Sequence, residues 1–411
     1  MKFRTSMISV VLLGCVLPLY GQQAGPAFRT LPSQCLGRPG FPPSIATAFC
    51  KPVLGVAQPQ QASNDIVRND GSGTYTTFDA PGAVNGTFAF AINPAGAITG
   101  YYNDANFVGH GFLRAGAAGI LATFDAPGDV NGTYPFAINP AGAITGFSYD
   151  ANFVGHGFLR AVDGTFTTFD VPGDLNGTYP SGINPAGVIT GYYWDINLTS
   201  HGFLRAPDGT FTTFDVPGAG TGSFQGTLAF GINPPGVVSG NYYDANFVSH
   251  GFLRAVDGTI TTFDVPNGTN VTTDSLSFTP GLGINPSGAI TGTYFEPIQG
   301  NPFGGNYRGF LRSRDGTFAT FDAASYPPCC IWTAGLAINP AGAIAGVQND
   351  GFNVNHGFLR ARDGTVTALD VPGAGTGHGQ GTVADGINPS GQITGYYTDA
   401  TGVTHGFLRS H

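Results

Sequence analysis

The chain has 411 residues, 10% of them charged, and a formal net charge of −9 at pH 7. Glycine supplies 65 residues, while the 25 acidic residues include a single glutamate, Glu296, and there are only two lysines and two methionines. So small a stock of strong helix formers excludes a helical protein, and an acidic chain with no basic stripe excludes a nucleic-acid binder.

Residues 1–21 read as a secretory signal peptide, with Lys2 and Arg4 ahead of an apolar run from Met7 to Tyr20 that is too short for a comfortable membrane span. Cleavage is expected near Gly21. Leu12-Leu13-Gly14-Cys15 also resembles a lipoprotein box, the weaker alternative, because Val16 to Tyr20 would leave an apolar mature start. Either route predicts a secreted, periplasmic or cell-surface protein with no transmembrane segment in the mature chain. Loss of Lys2 and Arg4 takes the formal charge from −9 to −11.

Residues 22–70 are rich in Pro, Gln, Gly and Ala without sustained periodicity and read as a linker or wrapped arm. Four cysteines follow the leader: Cys35, Cys50, Cys329 and Cys330. In an exported chain they are disulfide candidates, either as Cys35 with Cys50 or with each of these taking one of the adjacent pair. No CxxC spacing is present, which argues against a metal site among them.

Residues 71–411 are dominated by one phrase. His-Gly-Phe-Leu-Arg or a close variant ends at Arg114, Arg160, Arg205, Arg254, Arg312, Arg360 and Arg409. Thr-Thr-Phe-Asp or a close variant ends at Asp79, Asp125, Asp170, Asp215, Asp264, Asp322 and Asp370, at intervals of 46, 45, 45, 49, 58 and 48 residues. Periods of this size mark repeats that cannot bury their apolar faces alone.

Within Thr227–Val265 the pattern predicts four strands: Leu228–Asn233, Val237–Tyr243, Gly251–Ala255 and Thr259–Phe263. The Asn-Pro-x-Gly and Asp-Gly steps between them supply the fixed and positive φ values of tight turns. The long connection follows the Thr-Thr-Phe-Asp strand, which places that strand outermost and the Ile-Asn strand innermost. Ala91, Ala137, Gly182, Gly231, Gly283, Ala337 and Gly386 are small, as suits inner strands that converge.

The repeats begin with a lone Thr-Thr-Phe-Asp strand and end with a lone His-Gly-Phe-Leu-Arg strand, which are hairpin partners everywhere else. A ring would pair them and remove both sheet edges. The expected fold is therefore all-β, a single seven-bladed β-propeller of four-stranded blades closed by its N- and C-terminal strands.

The blocks Gly-Ile-Asn-Pro-x-Gly-x-Ile-x-Gly, His-Gly-Phe-Leu-Arg and Asp-Gly-Thr-x-Thr-Thr-Phe-Asp-Val-Pro-Gly resemble the extracellular repeats of the HAF family, named for a His-Ala-Phe-type triplet, over about residues 73–409. The resemblance implies export and a propeller-like fold, and it carries over no catalytic residues. The fifth repeat departs from it, with Arg308 at the histidine position.

The most regular polar pattern sets an acid at the end of the second strand against a His at the start of the third. The pairs are Asp104 with His110, Asp150 with His156, Asp195 with His201, Asp244 with His250, Asp350 with His356 and Asp399 with His405. In repeat five the pair is Glu296 with Arg308, so acid and cation changed together. Arginine is neither a usual ligand nor a usual base, and structural bracing of the loop explains every copy better than a ring of metal or acid–base sites.

Loops of the type Asp-Ala-Asn offer oxygens to calcium but lack the other carboxylates of a calcium loop, so no cofactor or metal is expected. Four residues break the repeat symmetry and stand as ligand-binding candidates. Trp194 is an aromatic beside a loop, and Asp385 occupies a position held elsewhere by Phe, Leu or Ser181. His378 lies in the Gly-rich loop before Asp385, and Glu296 is the lone glutamate. Nucleophile-elbow, zincin, phosphate-loop and dinucleotide signatures are absent.

These features predict an exported, monomeric, non-catalytic binding or scaffold protein, with a polysaccharide or cell-surface protein as partner on the loop face. The alternatives are a carbohydrate-active propeller enzyme, hydrolase or lyase, using Asp385 and Glu296, and a purely structural surface protein.

Overall fold

The computed structural model describes residues 66–69, 73–116, 119–272, 283–297, 305–323 and 332–410. The expected signal peptide, Cys15, most of the 22–70 linker, and Cys35, Cys50, Cys329 and Cys330 lie outside the described residues. Among the described residues every regular element is a β-strand.

The repeats fold as antiparallel four-stranded meanders. In the fourth repeat the strands are Gly226–Ile232, Val238–Tyr243, Ser249–Arg254 and Ile260–Phe263, each paired with the next. These bounds agree with the sequence reading to within two residues. The third strand starts early enough to include His250, which fixes that side chain on a rigid element.

The Asp-Gly hairpins follow the anticipated chemistry. Gly209 and Gly258 sit at φ +92° and +91°, and the Asp208 and Asp257 carboxylates each accept the backbone N–H two residues on, at 2.9 Å.

The linker reading needs correcting at its end. Ile66–Asn69 is a strand that pairs antiparallel with Thr74–Phe78. Its Ile-Val pair suits an added edge strand, although four residues are too few to show a period. On its other side Thr74–Phe78 pairs with the C-terminal strand Thr404–Ser410, with Thr76 opposite Leu408 and Thr77 opposite Phe407.

The core lies between neighbouring repeats. Phe112, Phe158, Phe203, Phe252, Phe310, Phe358 and Phe407, one per His-Gly-Phe block, are at most 1% exposed, and burial of each contributes about 1.5–3 kcal/mol. In every repeat but the sixth, where Gly357 faces Leu369, the glycine before this phenylalanine makes room for an outer-strand ring: a methyl group at Gly251 would fall 2.3 Å from the Phe263 ring.

The arginine that ends each of the first six blocks reaches back to the preceding outer strand. Arg114 lies over Phe78 at 5.1 Å, Arg205 over Phe169 at 4.8 Å and Arg360 over Phe321 at 5.1 Å, contacts worth about 0.5–2 kcal/mol each. Phe78 and Leu408 pack with Ile98 and Phe112 of the first repeat.

First strands approach closely from one repeat to the next. A methyl group at Gly182 would lie 2.8 Å from the Phe230 carbonyl oxygen, and one at Gly386 would lie 3.0 Å from that of Phe90. This accounts for the small residues expected there.

The Asn-Pro-x-Gly turns join in the same region. Each asparagine is buried. The side chain of Asn93 accepts backbone N–H groups of its own turn through Oδ1, while its Nδ2 donates to the Asn139 carbonyl at 3.3 Å. Corresponding contacts run from Asn233 to Asn285, Asn285 to Asn339 and Asn339 to Asn388, and Asn388 donates to Asn93 at 3.3 Å.

Candidate ligand-binding face

The loops between second and third strands and the connections that follow fourth strands sit at one end of each sheet. In the first repeat Asn85 of a connection donates Nδ2 to the Asp104 carbonyl at 2.6 Å, and Asn131 and Asn176 do the same to Asp150 and Asp195. The Asn-Gly-Thr sequences therefore serve as turn chemistry that ties connection to loop.

In every repeat but the fifth the loop is also closed by its own aspartate. Asp104 Oδ1 accepts the N–H groups of Asn106 and Val108 at 2.8 and 2.9 Å, while Oδ2 accepts Asn106 Nδ2 at 3.3 Å. Both oxygens are engaged by N–H donors, an arrangement unsuited to a cation. Among the described residues no group of three His, Cys, Asp or Glu side chains is arranged to hold a metal ion.

Each histidine at the start of a third strand lies between two carboxylates. His110 Nε2 is 3.9 Å from Asp104, but its Nδ1 is 2.8 Å from Asp125. An ionised carboxylate can only accept, so the imidazole donates in that bond. The remaining distances to the sequence-predicted acids are 3.8 Å for His156–Asp150, His201–Asp195 and His250–Asp244, 3.6 Å for His356–Asp350 and 3.5 Å for His405–Asp399.

The shorter bonds go to Asp170, Asp215, Asp264, Asp370 and Asp79, at 2.7–2.9 Å. In repeat five Arg308 Nε is 2.9 Å from Glu296 and 3.6 Å from Asp322.

The second acid was readable in the sequence. Gly202 pairs with Phe214 across the hairpin, so the residue before one and the residue after the other, His201 and Asp215, must face each other.

Where the adjacent strand carries a tyrosine the imidazole packs against it as well, His250 stacking on Tyr242 at 5.0 Å and His201 on Tyr193 at 5.1 Å. The Asp215 and Asp370 hydrogen bonds raise the pKa of His201 and His356, against an opposing effect of burial. Burial acts most strongly on His405 and lowers its pKa, but the Asp79 hydrogen bond and the charges of Asp79 and Asp399 outweigh it, and the net shift is upward. Asp244 is held below the usual carboxylate range by the Val248 N–H, with the Asn246 N–H in support.

Two of the four irregular candidates are buried. Trp194 is buried, edge-on to Tyr192 at 6.1 Å and to Phe224 at 5.9 Å. Its large apolar area is satisfied by the aromatic layer between repeats. Asp385 is likewise buried. It is the extra residue of a β-bulge between Ala384 and Gly386, the position held by Phe90 and Ser181 in their repeats. Such bulges aim one side chain at the neighbouring repeat, as Ser181 Oγ shows by donating to the Ala229 carbonyl at 2.9 Å.

His378 is exposed, with Asn353 Nδ2 3.3 Å from its Nε2. Glu296 is committed to Arg308. Among the described residues no helix is long and apolar enough to cross a membrane.

No protein-family model matches the sequence, and no curated protein is significantly similar to it. Among solved structures it is similar to virginiamycin B lyase from Staphylococcus aureus, with 13% identity, 79% of this chain and 96% of that one covered, and a TM-score of 0.48. It is also similar to the Aleuria aurantia lectin, a fungal lectin with a six-bladed β-propeller fold, at 12% identity, 69% and 95% coverage and a TM-score of 0.40. A puromycin hydrolase mutant gives 13% identity and a TM-score of 0.49; this chain is covered to 79% and spans 56% of that one. All three scores lie below 0.5, and we take nothing about activity from them.

Proposed function

We propose that the repeats close into a seven-bladed β-propeller and that the molecule is an exported, non-catalytic binding or scaffold protein that offers its Asp-His loop face to a polysaccharide. Closure is supported by the pairing of Thr74–Phe78 with Thr404–Ser410 and by the return of the asparagine contacts from Asn388 to Asn93. Export rests on the N-terminal Lys-Arg and apolar pattern and on the HAF-like blocks.

The observation that carries the functional reading is the sameness of the carboxylate–imidazole–carboxylate cluster from repeat to repeat. Catalysis needs groups in different roles converging on one reacting point. Here each histidine and the aspartate of its own loop are spent on holding that loop, and the two irregular carboxylates lie in different repeats, Asp385 buried and Glu296 paired with Arg308. The same rigid end exposes loop side chains on well-braced strands, as binding surfaces do.

Calorimetric titration against a panel of polysaccharides, with reducing ends assayed in the same samples, tests this reading. Binding without product is expected. Turnover that disappears in Asp385→Asn would replace it with a hydrolase or lyase, and silence across the panel would leave a structural surface protein.

A further inference from the structure

The loop face is not uniform. In repeats one to four the loop tip carries Phe107, Phe153, Leu198 or Phe247, all in the left-handed region at φ 63°, 61°, 60° and 62°. A bulky side chain there costs backbone energy that asparagine or glycine would avoid. The sixth and seventh repeats make that choice, with Asn353 at φ 62° and Gly402 at φ 88°. The three phenylalanines are nevertheless 41%, 40% and 56% exposed, so the strain is not offset by full burial.

The same arc carries the most open of the seven aspartates that end the Thr-Thr-Phe-Asp blocks. Side chains of Asp125, Asp170, Asp215 and Asp264 are 51–59% exposed, against 16% for Asp79, 37% for Asp322 and 46% for Asp370. No lysine or arginine occurs in the loops or connections of these four repeats, and each repeat sets two carboxylates around one histidine.

Exposed rings on a face where carboxylates outnumber histidines two to one select the partner by charge. Anionic lipid surfaces, acidic polysaccharides and the same face of a second copy are repelled, whereas a cation gains both the carboxylates and the ring faces. The loop sequence Asp-Ala-Asn-Phe-Val is identical at 104–108, 150–154 and 244–248. Repeated equivalent sites suit a ligand whose own groups repeat, because each further engagement is intramolecular.

From this arc we infer that the ligand is an amine-bearing polysaccharide, a chain of de-N-acetylated glucosamine units with sugar faces on the phenylalanines and ammonium groups on Asp125, Asp170, Asp215 and Asp264. This rests on the polysaccharide-binding reading above and narrows it.

The test is calorimetric titration of the full chain with a glucosamine oligomer, its fully N-acetylated counterpart and oligolysine of matched charge, at low and raised salt. The glucosamine oligomer binds, its affinity falls with salt, and acetylation weakens it by on the order of tenfold or more. The triple variant Phe107→Gly, Phe153→Gly, Phe247→Gly loses a similar factor while its thermal midpoint holds or rises, since glycine relieves the positive φ.

Equal affinity for the acetylated oligomer, tighter binding of oligolysine, or an unaffected triple variant each overturns the inference. If the acetylated oligomer binds and the triple variant abolishes that binding, the loop face remains a polysaccharide site and only the amine specificity falls. If neither sugar binds, the polysaccharide reading falls with it.

Discussion

His405 joins the two ends of the repeat region: its Nδ1 is 2.9 Å from Asp79 and its Nε2 3.5 Å from Asp399. His201 and His356 occupy the same setting and share its raised pKa. A folded-state pKa above the unfolded value means that the native protein holds its proton more tightly. The resulting stability is complete below the ordinary histidine value of about 6.5 and is lost as pH rises through the raised values. The urea midpoint is therefore expected to fall as pH is raised from about 6 to 8, with a flatter profile in the double variant His201→Gln, His405→Gln; an unchanged slope in that variant would remove the carboxylates as its cause. At the acid end Asp244 acts in the opposite sense: its lowered pKa supplies stability above the ordinary carboxylate value that drains away as pH falls. Sequence spacing found these acids and histidines but paired each histidine with the nearer acid along the chain. The stronger partner lies across a hairpin, and its assignment needs strand register rather than separation. Trp194 stood as a candidate for a related reason: alternation does not say that Tyr192 and Phe224 of the inter-repeat layer cover the residue.

The Asn-Pro-x-Gly turn is the element that does more than its motif announces. Proline and glycine explain the reversal, with Gly96 at φ 77°, but any good turn former satisfies that need. The asparagine is specified by a second task, bonding its own turn through Oδ1 and the next repeat through Nδ2. Asn388 is buried, accepts the Ser390 and Gln392 N–H groups, and donates to the Asn93 carbonyl. Asn388→Ala strands these groups away from water, and chemical denaturation is expected to show a loss of about 1–3 kcal/mol. A loss no greater than that of an exposed alanine substitution would show that the contact stabilises nothing. Strand existence, order and turn chemistry were legible because each strand carries its own glycine and β-branched or aromatic signature. The bulge at Ala384–Gly386 was not, since an extra residue in a first strand leaves no periodic trace beyond the odd composition of position 385.

At the scale of the molecule the repeat count and the complementary ends were plain in the sequence, and they led directly to circularity. The edge strand Ile66–Asn69 was hidden in a segment whose composition is that of a linker, four residues being too few for a period. The clustering of exposed phenylalanines and open aspartates into one arc was hidden as well, because exposure is decided by what neighbouring repeats cover. Circularity remains the claim on which the loop face depends, since only a closed ring holds the first and last repeats side by side. Thr74 and Ser410 are register partners across the proposed seam, at the separation that suits a disulfide. The decisive measurement is thiol oxidation of Thr74→Cys, Ser410→Cys in a chain whose other cysteines are serine, read by mass spectrometry under non-reducing conditions. A single intramolecular disulfide in monomeric protein, with a raised thermal midpoint, is the predicted result; free thiols or only cross-linked dimers would contradict the ring.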